Sequence, residues 1–164
     1  MPPRLRSGDV LEVEFPKVPS PEVAFPDGGF GYVTYVGKRD DSDVVQVRPG
    51  VVYERPAITA ALFADSYMTF YPANLALRHK LVTVVGHLPP VAIPPVFRRA
   101  GMIDRSGKVL TWLLEDENGI RITEVLTEAE TKLNIAMYWN HELLLIRMSQ
   151  KWKPEWSTDC LGVK

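Results

Sequence analysis

The chain has 164 residues, 46% of them hydrophobic and 24% charged, the composition of a folded globular protein and outside the range of disordered chains. Nineteen basic residues against 20 acidic ones leave a net charge of −1, so the basic excess on which non-specific nucleic-acid binding rests is missing. The only cysteine, Cys160, excludes an internal disulfide and any metal site built on a cysteine pair.

No apolar run of signal-peptide length follows Met1-Pro2-Pro3-Arg4-Leu5-Arg6, and none approaches the roughly 20 residues that cross a bilayer. A cytoplasmic location without membrane association is expected, with one domain over residues 1–164. All 14 prolines except Pro154 fall within residues 1–95. Proline lacks a backbone donor and clashes with the preceding helical turn, so short strands and loops are expected there.

In chain order, Val10 to Phe15 alternates, with Leu11, Val13 and Phe15 on one face and Glu12 and Glu14 on the other. Residues 16–29 read as a proline-rich loop ending in the turn Asp27-Gly28-Gly29. A second strand is expected over Phe30–Val36, a charged turn over Gly37–Asp43, and a third strand over Val44–Val47. Val51–Tyr53 is a candidate fourth strand and residues 57–64 a short helix. Leu81–Val85 is β-branched and apolar, which predicts a buried strand.

Beyond residue 100 the signals sharpen. Val109–Leu114 is apolar on both faces and predicts a central strand. Asn118-Gly119 is a strong hairpin signal, and Ile120–Leu126 would return antiparallel to that strand. Thr127 stands three residues before Glu130, the spacing of a capping box that opens a helix near Glu128. Asn140 is placed to cap a second helix over His141–Lys151, on which Leu144, Leu145, Met148 and Trp152 share a face. Strands followed by helices predict an α+β fold: a small curled antiparallel sheet or half-barrel with two C-terminal helices.

Residues that carry chemistry are few. His79, His87 and His141 show no His-x-His or His-Glu-x-x-His spacing, so no metal site and no cofactor are expected. No Gly-x-Ser-x-Gly elbow is present, and Cys160 has no histidine near it in sequence. Gly28, Gly29 and Gly31 enter a strand, whereas phosphate loops leave one. Charge is distributed unevenly. Arg78, Lys80, Arg98, Arg99, Arg105 and Lys108 face only Asp104 within residues 78–108. Glu115, Asp116, Glu117, Glu124, Glu128 and Glu130 face only Arg121 within residues 115–130. Either these segments pair with each other, or they form a two-signed surface that steers a protein partner. The acidic turn at Asp40, Asp41 and Asp43 can act similarly. Among the tryptophans, Trp112 and Trp152 fit a core by periodicity. Trp139 and Trp156 stand at element ends and are the surface candidates, joining Glu115, Asp116 and Glu117 as the expected partner-binding residues.

Several landmarks together resemble the bacterial immunity protein 26 family, whose members also carry a phosphotriesterase label. They are Gly8-Asp9-Val10, Gly29-Phe30-Gly31-Tyr32-Val33, Val84-Val85-Gly86 before a proline-rich crossing to Phe97, the Trp112 strand, Leu126-Thr127, and Trp152-x-Pro154. The resemblance spans about residues 7–156. It implies a cytoplasmic protein that binds and neutralises a cognate protein toxin. The family's second label implies an organophosphate triester hydrolase, which would have to draw on His79, His87 or His141 with carboxylates such as Asp9 or Asp104 and on Arg98 or Arg99. Binding ranks above hydrolysis, because the paired histidines of metal-dependent phosphotriesterases are missing. A nucleic-acid adaptor ranks last.

Overall fold

A computed structural model describes residues 3–16 and 28–154. The chain forms two compact units, one from Met1–Ile93 with Tyr138–Trp152, the other from Pro94–Met137 with Lys153–Lys164. The fold is α+β, with two antiparallel sheets and three α-helices among the described residues.

The first unit carries strands β1 (Asp9–Glu14), β2 (Phe30–Arg39), β3 (Ser42–Val47), β4 (Tyr67–Phe70) and β5 (Thr83–His87). They hydrogen-bond in the order β4-β3-β2-β1-β5, so β4 and β5 are edges and the sheet does not close into a barrel. β1 is buried on both faces except at Glu14. Val10 packs with Tyr32 and Phe63 on the face that Glu12 shares. There the Glu12 carboxylate is taken into the structure by Tyr32 Oη at 2.9 Å and by the Arg55 fork at 3.1–3.2 Å, since a buried carboxylate needs donors.

β2 runs three residues further than its apolar alternation indicates. A bulge at Gly37 carries it to Arg39, and the turn shrinks to Asp40 and Asp41, both at positive φ (49° and 64°). Successive positive φ values match the right-handed twist of a tight hairpin, and aspartate tolerates them better than most residues. Gly31 lies under the C-terminal helix of this unit, α3 (His141–Ser149). A Cβ there would collide with Met148 Sδ and stand 3.2 Å from the Phe15 ring, so the helix packs on the sheet at this point because no side chain intervenes.

Three expectations need correction here. The expected burial of the Leu81–Val85 strand fails, since Val84 and Val85 are exposed; β5 is the edge of the sheet beside β1, with no further strand outside it among the described residues. The candidate strand at Val51–Tyr53 is only a bridge between Val52 and Phe30. The helix expected over residues 57–64 is a single 3₁₀ turn, Ala60–Phe63. β4 and the short helix α1 (Ala73–Arg78) lie where no regular element was expected. The turn at 27–29 falls partly outside the described residues; Gly28 and Gly29 have φ of 74° and 97°.

The second unit holds β6 (Phe97–Ala100), β7 (Trp112–Asp116) and β8 (Gly119–Thr123), ordered β6-β7-β8, with β7 central as its apolar run predicts. α2 (Glu128–Thr131) opens on the capping box: Thr127 Oγ1 accepts from the Glu130 N–H, and Glu130 accepts from the Thr127 N–H. That backbone donor, with Arg121, holds the Glu130 carboxyl below its ordinary value. Arg98 on β6 is buried. Its guanidinium lies 4.5 Å over the Trp112 ring and donates to the carbonyls of Leu133 and Pro154. Among the described residues no helix is long and apolar enough to cross a membrane.

Candidate functional site

The β7–β8 hairpin of the second unit gathers the acidic residues that charge patterning singles out. Asp116 pairs with Gly119 across a two-residue turn at Glu117 and Asn118, and Asp116 Oδ1 accepts from the Asn118 N–H at 2.7 Å. Asp116 and Glu117 are exposed. Glu115 is partly buried and ion-paired with Arg99 at 2.5 Å. Arg121 pairs with Glu130. The basic and acidic segments therefore do neutralise each other in part, but Asp116, Glu117, Glu124 and Glu128 remain at the surface.

Apolar residues complete this surface, and sequence reasoning did not single them out. Ile120 is 59% exposed, Ile122 67% and Val125 79%. Register places Ile120 opposite Glu115 and Ile122 opposite Leu113, so the two isoleucines share one sheet face. Arg121 and Thr123 take the other face, where Arg121 reaches Glu130 of α2. β8 is also an edge. The outer side of β6 is occupied by residues 134–136, through the Arg98 N–H to the Asn134 carbonyl and the Ala136 N–H to the Arg98 carbonyl. β8 has β7 as its one strand neighbour among the described residues, which leaves half its backbone groups open to pairing. Beside it lies a hollow of about 510 Å³ lined by Leu114, Asp116, Ile120, Arg121, Glu130 and Leu133.

Trp139 does not belong to this surface. It is buried, 2% exposed, which corrects its expected place as a surface residue. Tyr138 bridges in parallel to Phe70, and the Trp139 N–H donates to the Phe70 carbonyl. The segment thus lies along β4, and the Trp139 ring turns inward against Tyr67 (5.8 Å) and Trp152 (5.4 Å). Arg147, itself buried, sits 4.6 Å over Trp152 and 5.9 Å over Trp139. Trp156 and Cys160 lie outside the described residues.

The three histidines occupy separate surroundings in the first unit. His79 is exposed at the end of α1. His87 ends β5 opposite Asp9, with Nδ1 3.0 Å from Asp9 Oδ1. Asp9 is buried, and its other oxygen accepts from the Arg6 N–H at 2.8 Å. His141 Nδ1 is 2.8 Å from the buried hydroxyl of Tyr71. Among the described residues no group of three or more His, Cys, Asp or Glu is placed to hold a metal.

Burial pushes the His141 pKa below its ordinary value of 6.5 and raises that of Tyr71. The hydrogen bond is therefore one between an un-ionised phenol and a neutral imidazole. As pH falls below the ordinary histidine value, the unfolded chain takes up a proton that the folded chain refuses until its own, lower pKa is reached. Stability should accordingly fall with pH through that window, and the loss should be smaller in His141→Gln. Urea unfolding of both chains from about pH 8 to about pH 5 measures the difference. Parallel curves for the two would contradict it.

Comparison of the chain with protein-family models, with curated proteins and with solved structures finds no match.

Proposed function

We propose that this protein works in the cytoplasm by binding another protein through the β7–β8 hairpin, and that the partner is a toxin it neutralises by occlusion. The observation that carries the reading is the open β8 edge, with Ile120 and Ile122 exposed on one face and Asp116, Glu117, Glu124 and Glu128 around it. Apolar centre and charged rim is the anatomy of protein interfaces. An open edge offers main-chain pairing to an extended segment of a partner. The acidic rim selects a partner surface that is basic around an apolar patch. The likeness of the landmark residues to immunity protein 26 supplies the class of partner.

The test uses a photo-crosslinking residue at position 122 and, as a control, at the exposed position 53 of the other unit. Position 122 should yield one discrete protein adduct that position 53 does not, and that protein should arrest cells lacking this chain. Equal adduct patterns at the two positions count against the reading. Adducts of the chain with itself, accompanied by a dimer in sedimentation, would assign the edge to a second copy instead.

Hydrolysis of an organophosphate triester has one observation in its favour, the His87–Asp9 pair. A buried carboxylate orienting a half-exposed imidazole (48%) is a general-base arrangement. On that reading His87→Gln abolishes phosphotriester turnover while His79→Gln and His141→Gln keep it. On the binding reading no variant changes a rate that stays at buffer level.

A further inference from the structure

The first unit contains a cleft of about 540 Å³, within the size range of small-molecule sites, that plays no part in the reading above. Its walls bring together three cations from separate segments: Arg4 before β1, Lys38 late in β2, and Arg78 ending α1. Elsewhere in the chain Arg6, Arg55, Arg99, Arg121 and Lys132 are each within 4.0 Å of a carboxylate oxygen. These three have no such ion pair among the described residues. Lys38 reaches only the Asp41 carbonyl and Arg78 only the Asn74 carbonyl, both at a long 3.4 Å. Arg4 makes no hydrogen bond among the described residues. Most of the donors on two guanidinium groups and one ammonium are therefore available.

Two carboxylates also border the cleft, which leaves three cations against two anions, and neither carboxylate forms an ion pair with a cation of the cleft among the described residues. Asp43 is buried and committed: its oxygens accept from the Asn74 backbone N–H at 2.9 Å and from Asn74 Nδ2 at 3.1–3.2 Å. Asp41 sits exposed on the hairpin turn. The remaining wall is flat and apolar. Tyr138 is 62% exposed, its ring stacked on Phe70 at 5.8 Å with an interplanar angle of 21° and its hydroxyl tied to Ser42. Leu75 lies exposed in the same wall. A fixed, solvent-facing aromatic ring beside clustered unpaired cations is what a planar, anionic molecule needs.

The geometry points to a nucleotide site: a nucleoside monophosphate whose phosphate meets Arg4, Lys38 and Arg78 and whose base stacks on Tyr138. The phosphate accepts charge-assisted hydrogen bonds from the forked guanidinium groups, and base–aromatic stacking adds affinity without base selectivity. The site belongs to the first unit and does not depend on the hairpin of the second.

Backbone amide NMR of the full-length protein at low salt tests it, with AMP, adenosine and inorganic phosphate as probes. AMP should give saturable shifts concentrated at residues 38–43, 74–78 and 138, with phosphate and adenosine each weaker. Arg4→Gln and Arg78→Gln should each weaken AMP about tenfold, and both substitutions are at exposed positions. Tyr138→Ala should weaken AMP and leave phosphate unchanged. An unperturbed spectrum at millimolar AMP, or shifts indifferent to the arginine substitutions, would overturn the site. Equal affinity for phosphate and AMP would overturn its assignment to a nucleotide.

Discussion

Trp139→Ala should cost the fold about 3–5 kcal/mol, the range for removing a buried tryptophan. The indole is 2% exposed and meets Tyr67 and Trp152 at ring-centroid distances of 5.8 and 5.4 Å, both tilted out of parallel. Edge-inclined aromatic pairs of this kind add to simple burial. Truncation leaves a cavity next to Arg147, a buried cation held over both indoles, so part of the environment of a charge is lost with the ring. Against a total stability of about 5–15 kcal/mol for a typical domain, a loss of this size consumes a large share. Urea unfolding followed by near-ultraviolet circular dichroism measures it. Trp139→Phe should recover much of the loss, because a smaller ring still fills part of the space. A Trp139→Ala chain as stable as the parent would contradict the buried placement.

The opposite behaviour is expected of the hairpin. Ile120→Lys with Ile122→Lys should leave the urea midpoint almost unchanged, within about 0.5 kcal/mol, the usual range for exposed positions. Lysine on an open edge strand is a common natural device against pairing. The same double change should weaken binding of the partner at least about 100-fold, since two anchors of an interface centre are removed and two cations are set against a basic surface. A single reversal in the rim, Glu117→Lys, should act mainly by slowing association and should show more at low salt than at high. Loss of stability in the double variant would mean that the isoleucines serve the core, and undiminished binding would mean that the partner sits elsewhere.

The elements that were legible in the sequence are those whose signals are local. β1 and β2 follow from alternation over a few residues, β3 from the short apolar run Val44–Val47 after a charged turn, α2 from the Thr127–Glu130 capping box, and α3 from the cap at Asn140, whose Oδ1 accepts from the Leu143 N–H. What was missed depends on distant contacts. β6 contains Arg98 and Arg99, which read as solvent-facing charge. Arg98 is buried because Trp112 on the neighbouring strand and two backbone carbonyls receive its guanidinium. β4 and α1 are four and six residues long, too short for periodicity to register, and form through pairing with β3 and the Asn74–Asp43 bonds. β5 is apolar yet exposed, and sheet order, not composition, decides which strand is an edge.

The candidate surface was half legible for the same reason. Glu115, Asp116 and Glu117 stand out as charge, and the hairpin signal places them at a turn. Ile120 and Ile122, alternating with Arg121 and Thr123, look like a strand with its apolar face inward. Only the fold shows that this face is exposed, on a strand that is a sheet edge among the described residues. Trp139 erred in the other direction: its position between elements indicated exposure, and its pairing along Phe70 turned it inward.

The most direct measurement is growth of cells that express the protein captured at position 122, together with either the parent chain or the Ile120→Lys, Ile122→Lys chain at matched levels. The parent should restore growth and the double variant should not, although both are folded. Equal protection by the two chains would contradict the hairpin as the binding surface, and protection by neither would contradict neutralisation itself.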